Sequence, residues 1–298
     1  MKKHLLALAA ITAFFSVSQA QQNTALSQLI DNEDITIPMA HPPERGDALD
    51  ATLKWDPAAP LSYNQNPAQL LSDKDGAAVI GNVRTGLTPA DHKSYAWETL
   101  TINPALIEKA VYAYKTFGTG HTFLVFTFKA GGAVNSLGES VPALTFGAEG
   151  WSREPKGYNI NHALAGKYPL IWVVTSFESY ADYVVNLRKK EIFFKNMNIG
   201  PEQTARLFSL LLARVDETNR NQETYNLFSN SCTNNPVNLL NQVLPEDKRI
   251  SLEVAGLMNP SASIPKYAVK KLTANGALQA GTFRLGPDNY GTFDITKI

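Results

Sequence analysis

Nine residues in the middle of the chain, His121-Thr-Phe-Leu-Val-Phe-Thr-Phe-Lys129, constrain the fold more than any others. Aromatic and β-branched residues dominate, and along a strand successive side chains point to opposite faces. Both alternating sets, His121/Phe123/Val125/Thr127 and Thr122/Leu124/Phe126/Phe128, are largely apolar. Such a segment needs cover on both sides, which predicts a central strand of a sheet held between two layers. Similar composition predicts strands over residues 141–146, 170–177 and 191–197. Gly200-Pro201-Glu202 then opens a helix with proline in its first turn, and Leu207/Phe208, Leu211/Leu212 and Val215 repeat as one apolar stripe. The polar run 216–223 closes it. A second amphipathic helix, with Val237, Leu239, Leu240, Val243 and Leu244, follows Cys232. Residues 104–114 predict a short amphipathic helix from Ala105, Ile107, Ala110, Val111 and Tyr114, with Asn103 as its cap. Residues 67–105 carry no clean period, and beyond Pro245 the chain is irregular. Strands in the middle with helices at the flanks predict an α+β domain.

The start of the chain follows the plan of an export signal. Lys2 and Lys3 precede an apolar run from Leu5 to Val17, and Ser18-Gln19-Ala20 supplies small residues where a signal peptidase cuts. Cleavage is expected after Ala20, in a periplasmic setting, with no transmembrane segment afterwards. No cysteine stands directly after the expected cleavage site to carry a lipid anchor. Lys2 and Lys3 leave with the signal, so 27 − 2 = 25 basic residues face 27 acidic ones. That balance gives no field for nucleic acid, and Arg188-Lys189-Lys190 is too short a cluster to supply one. Residues 21 to about 66, rich in Gln, Asn, Asp and Pro, read as an extended arm. The divisions expected are the signal over 1–20, a loop-rich extension over 21–104, a core over 105–250, and a C-terminal extension over 251–298 packed on it.

Cys232 is the only cysteine of 298 residues. An unpaired thiol in an exported chain is either core filling or a nucleophile. Its position at the mouth of a helix, facing unpaired N–H groups and the positive end of the helix dipole, favours the thiolate. Pro236, four residues on, sets the regular helix to begin near Asn235 or distorts its first turn. Of five histidines, His121 stands at the entrance of the most apolar strand behind the turn Gly118-Thr-Gly120. An imidazole there can ionise the thiol and carry a proton to a leaving group. Each residue taken alone has a structural explanation, but strand-start histidine with helix-start cysteine makes a nucleophile–base pair the better reading. The backbone N–H of Cys232 is a candidate donor to the oxyanion of attack. No Cys-x-x-Cys, His-Glu-x-x-His, Gly-x-Ser-x-Gly or complete dinucleotide motif is present, so no metal or cofactor is expected.

The chain also resembles a known family. Gly120-His-Thr-Phe-Leu, Gly166-Lys-Tyr-Pro, Tyr183-x-x-x-x-Arg188, Ile199-Gly-Pro-Glu-Gln203 and Tyr225-Asn-Leu-Phe-Ser-Asn-Ser-Cys-Thr follow, in order, the motifs of the Lnb-type periplasmic domain. The resemblance covers residues 105 to 245. Characterised members are bacterial lipoprotein N-acyltransferases. The order His then Cys also resembles circularly permuted papain-like folds of the NlpC and lecithin:retinol acyltransferase type. These resemblances imply a central antiparallel sheet with a helix carrying the cysteine at its N-terminus. They also imply Cys232 as nucleophile and His121 as base in transfer through a thioester, with a phospholipid or other acyl substrate and a lipoprotein as acceptor. The motif usually places Asn directly before Cys, whereas here Asn230-Ser231-Cys232 inserts a serine. Asn230 and His162 stand as possible supporting residues, with Thr175, Ser176 and Glu178 as further candidates for an orienting group by location alone. Two rival readings share these residues: a cysteine amidase or peptidase acting on peptidoglycan peptides, and a non-catalytic lipid- or envelope-binding domain.

Overall fold

The computed structural model describes residues 64–298, apart from 75, 93, 117–119, 152–159 and 255–256, together with the strand Ile37–Pro38. The export signal over 1–20 and most of the arm lie outside the described residues. The strands, in chain order, begin with β1 (Ile37–Pro38), β2 (Gln69–Lys74), β3 (Ala77–Thr85), β4 (Ala96–Ile102) and β5 (Ile107–Lys115). They continue through β6 (His121–Phe128), β7 (Ala133–Asn135), β8 (Ala143–Gly150), β9 (Tyr168–Ser176), β10 (Ile192–Asn196) and β11 (Thr224–Tyr225). The last are β12 (Glu253–Val254), β13 (Leu257–Met258) and β14 (Phe283–Leu285). Eleven form one sheet, ordered β14-β10-β5-β6-β8-β9-β3-β4-β7, with β2 on β3 and β11 on β9. The expected antiparallel sheet is corrected to a mixed one, because β3 and β9 run parallel through Val83↔Val174 and Arg84↔Thr175.

β6 is buried at every position, as a strand apolar on both faces must be. Leu124 and Phe126 join a core with Phe146 and Trp172 on one face, while Phe123 and Val125 join Val111 and Phe194 on the other. The helices divide accordingly. Described residues outside the sheet form α1 (Ile160–Leu164), α2 (Phe177–Ala181), which runs on as a π-helical stretch Asp182–Leu187, and α3 (Pro201–Asn221). They also form α4 (Asn234–Asn241), α5 (Pro260–Ser263) and α6 (Pro265–Ala274). α3 lays Leu207, Phe208, Leu211, Leu212 and Val215 on the first face, where α4 and α6 also pack. Phe208 meets Phe126 and Phe146 edge-on at centroid distances of 5.1 and 5.9 Å, a geometry favoured by ring quadrupoles. α2 and the C-terminal Phe293, Ile295 and Ile298 cover the second face.

Three further expectations are corrected. The helix expected over 104–114 is a single 3-10 turn, Pro104–Leu106, capped as foreseen by the Asn103 side chain, and then strand β5. β5 is flanked by β6 and β10, and Ala110–Ala113 are buried on both faces. Burial on both faces erases the alternation that marks a strand, and pairing on two sides overrides a coincidental helical spacing. The polar run 216–223 does not end α3, which continues to Asn221 and stops at Gln222 with φ 50°. The irregular region after Pro245 contains α6, opened by Pro265.

Candidate active site

The site lies at the start of β6. Gly120 precedes it with φ +75°, and a Cβ there would stand 2.9 Å from Pro265 Cγ, so the turn needs a residue without a side chain. This turn fixes where His121 enters the sheet. From the other direction comes the loop between β11 and α4. Asn234 Oδ1 accepts from Ser231 N–H at 3.1 Å and Ser231 Oγ at 2.6 Å, and Ser231 Oγ accepts from Thr233 N–H at 3.2 Å. The turn places Cys232 just before the N-cap, Thr233, and Pro236 in the first turn of α4, where no intrahelical donor is lost. Thr122 Oγ1 donates to the Cys232 carbonyl at 2.5 Å, tying the strand to this turn.

Sγ therefore sits among polar groups. The Tyr225 hydroxyl donates to it at 3.6 Å, and Thr233 Oγ1 lies 3.9 Å away. The Thr122 N–H points at it, and His121 interacts with it both as a hydrogen-bond partner and as a charge. On the far side of the ring, His121 Nε2 is 2.9 Å from Glu149 Oε1. The other ring nitrogen is thus the one available to the sulfur. Among the described residues Nε2 has no partner aligned along its N–H direction, so the contact with Glu149 is an ion pair rather than a strong linear hydrogen bond. Gly147 leaves room for that contact: a Cβ on it would come within 3.1 Å of Glu149 Oε1 and 3.4 Å of His121 Nε2. Cys232 is 5% exposed and His121 9%, so the pair is shielded but not sealed.

This arrangement settles the charges. Burial lowers the His121 pKa, but the Glu149 carboxylate and the Cys232 sulfur outweigh it and hold the imidazole up at about 9. Burial raises the Cys232 pKa, yet the His121 charge, its hydrogen bond and the Thr122 N–H bring the thiol below its ordinary value. Burial likewise raises Glu149, and His121, Lys115 and Arg84 together bring it below its ordinary value. These directions all favour the charged forms: a carboxylate, an imidazolium and a thiolate in a row. A cysteine with this composition is poised for attack on an acyl carbon.

His121 and Cys232 are brought together. The other candidates are elsewhere. Asn230 donates to Glu223 Oε2 at 2.9 Å and accepts from Asn235 at 3.0 Å, bracing the loop behind Cys232. His162 lies on α1 with its ring edge against Tyr168 at 5.9 Å. Thr175 is bonded to Thr145 at 2.5 Å, Ser176 caps α2, and Glu178 is exposed. The group placed on the imidazole is Glu149, which the sequence reading passed over. Its one signal is a lone glutamate in an apolar strand, flanked by Gly147 and Gly150. Tyr225, present in the motif but given no role, is the second omission. Among the described residues, no group of three or more His, Cys, Asp and Glu side chains is placed to hold a metal ion.

No curated protein and no solved structure matches the chain. Among the described residues, no helix is long and apolar enough to cross a membrane. One family model, described as the Lnb N-terminal periplasmic domain, matches residues 95–264. That match spans more than half of the chain and includes His121, Glu149, Tyr225 and Cys232; this protein belongs to the Lnb N-terminal periplasmic domain family.

Proposed function

We propose that this periplasmic envelope protein is a cysteine-dependent acyltransferase working through a thioester. The observation that carries the reading is the row Glu149–His121–Cys232, with the imidazole between a carboxylate and the only thiol. The Cys232 thiolate attacks the ester carbonyl of the donor, forming a C–S bond. The C–O bond then breaks, and His121 gives its proton to the departing alkoxide. An acceptor amine next attacks the thioester, His121 takes its proton, and the C–S bond breaks as the amide forms. Thiolate and imidazolium are restored. No hydrogen bond among the described residues uses the Cys232 N–H, which leaves it for the oxyanion, with the Tyr225 hydroxyl as second donor. Glu149 holds the ring and favours its charged form. Histidine at a strand start before cysteine at a helix start is the order of permuted papain-like enzymes, and the family points to a phospholipid donor and a lipoprotein amine.

The test is intact-protein mass spectrometry after incubation with phospholipid vesicles. An acyl adduct on the wild type that is absent from Cys232→Ala is the expected result. Release of peptides from wall fragments without a lipid adduct would replace the reading with a peptidoglycan amidase. No adduct, together with iodoacetamide labelling that is slow and unchanged in His121→Ala, would leave a binding domain.

A further inference from the structure

Beside the reacting groups lies a set of hydrogen-bond donors that the chemistry above does not use. Arg84 is 2% exposed, yet among the described residues its guanidinium bonds only to uncharged oxygens, the Ser179 hydroxyl at 3.1 Å and the Asn64 carbonyl at 3.0 Å. It stacks over Tyr95 at 5.1 Å and Tyr183 at 5.4 Å, and no carboxylate among the described residues pairs with it. A buried charge without a counter-charge is costly and marks a place where one is to be supplied. Next along the chain from Ser179, the Tyr180 hydroxyl is buried and has no hydrogen-bond partner among the described residues. Its ring packs on Phe123, centroids 4.6 Å apart, on the face of β6 that carries His121. Lys115, opposite His121 in the strand register, holds its ammonium 5.2 Å from the same ring. Arg188 lies 5.8 Å from the Tyr183 ring and donates to its hydroxyl at 3.1 Å. The nearby carboxylates are committed: Glu149 to His121, and Asp182 to Thr88, Asn186 and Tyr290. Arg84 and Lys115 also act on Glu149 through their charges, which sets both beside the reaction centre.

We propose that Arg84, Tyr180 and Lys115 form a subsite for a phosphate ester carried by the acyl donor, next to the bond that Cys232 attacks. This deepens the acyl-transfer reading and rests on Cys232 facing bound substrate. Phosphate is favoured over carboxylate by geometry. Arg84 spends Nε and one Nη1 hydrogen on protein oxygens, which leaves Nη2 and the second Nη1 hydrogen for ligand oxygens. A hydroxyl and cations arriving from separate elements suit a tetrahedral group with several oxygens.

The experiment measures protection of the single thiol from iodoacetamide in the full chain. The probes are glycerophosphoglycerol, a soluble phosphodiester, inorganic phosphate, and the dipeptide N-acetyl-alanyl-alanine as a carboxylate. Rates are taken as the ratio with and without probe, so that changes in intrinsic thiol reactivity cancel. Glycerophosphoglycerol is expected to slow labelling of the wild type. Tyr180→Phe and Lys115→Met should each raise the half-protecting concentration about tenfold, the loss of one hydrogen bond to a charged group. Tyr180→Phe keeps the ring and removes a hydroxyl that no atom of the described residues uses, so it tests the subsite even where Arg84→Gln fails to fold. Protection by inorganic phosphate alone would show an adventitious anion only and overturn the proposal. So would protection by the dipeptide alone, or equal protection in wild type and both variants. Protection without any acyl adduct from lipid keeps the subsite and removes the acyl-transfer reading; an adduct without protection does the reverse.

Discussion

Two charge networks, one half-buried and one buried, lie on either side of the loop that carries Cys232, and they are built to opposite rules. Behind the loop, Arg214 pairs with both oxygens of Glu223, Nη2 to Oε2 at 2.6 Å, and donates from Nε to Asn235 at 3.0 Å. Asn230 closes the ring by donating to Glu223 and accepting from Asn235 and Arg214. Every charged group there has its counterpart. In front of the loop, Glu149 meets His121 off the axis of its N–H, and among the described residues Arg84 has no carboxylate and the Tyr180 hydroxyl no partner. A satisfied polar network fixes geometry, and one with open valences is left for a reactant to complete. On the proposed function, the charges behind Cys232 serve the fold and those in front of it serve chemistry.

Mutations on the two sides should therefore fail in different assays. The largest effect is expected in front. His121→Ala should slow acylation of Cys232 by up to about 10⁴-fold, the upper range for a general acid–base group, as read by adduct formation over time, with a melting temperature close to wild type. Behind the loop, Arg214→Met should cost about 3 kcal/mol, because Glu223 is left half-buried without its cation. Urea unfolding reads this, and labelling of the folded fraction should keep the wild-type pH profile. Burial raises the Glu223 pKa and Arg214 more than offsets it, so the folded value lies below the ordinary one. Its contribution to stability is accordingly full above the unfolded value of about 4.3 and lost as pH falls through the folded one. Glu223→Gln should flatten that acid limb.

Smaller effects sharpen the contrast. Glu149→Gln is expected to lower acylation about 100-fold, within the range for groups that orient and charge a catalytic base. It should also move the alkaline limb, near pH 9 in the wild type, to lower pH. The sign follows because Glu149 raises the His121 pKa, so its removal makes the imidazolium titrate earlier. An unmoved limb would show that the carboxylate is not coupled to the ring. Tyr225→Phe should cost about tenfold, the worth of one hydrogen bond, and raise the labelling midpoint of the thiol, since the hydroxyl donates to sulfur. Least of all, Gly147→Ala should cost only a few-fold, about the scale of a contact that yields by tenths of an ångström. Its Cβ presses on both Glu149 and His121.

The sequence makes part of this legible. β6 shows itself because both of its faces are apolar, and α3 because its stripe repeats over several turns; His121 and Cys232 follow from where those elements start and stop. β5 is misread because Ala110–Ala113 are buried on both faces and carry no period of two. β3 is missed for another reason. Its register slips between Ile80 and Val83, where Asn82 takes φ 57°, so the alternation changes phase within the strand. Glu149 escapes notice because a carboxylate near a strand end reads as solvated until the neighbouring strand is seen to deliver a histidine. Arg84, far away in sequence, reaches the same side only through the parallel pairing of β3 with β9, a long-range contact with no local signature.

The central claim is that His121 ionises Cys232, and the pH dependence of iodoacetamide labelling tests it most directly. With one thiol in the chain, the labelling rate reports its ionisation alone. The wild type should show a midpoint below the ordinary thiol value of about 8.5, and His121→Asn should carry it above that value, because burial is then opposed only by the Thr122 N–H and the Tyr225 hydroxyl. A wild-type midpoint at or above about 8.5, unchanged in the variant, would contradict the account.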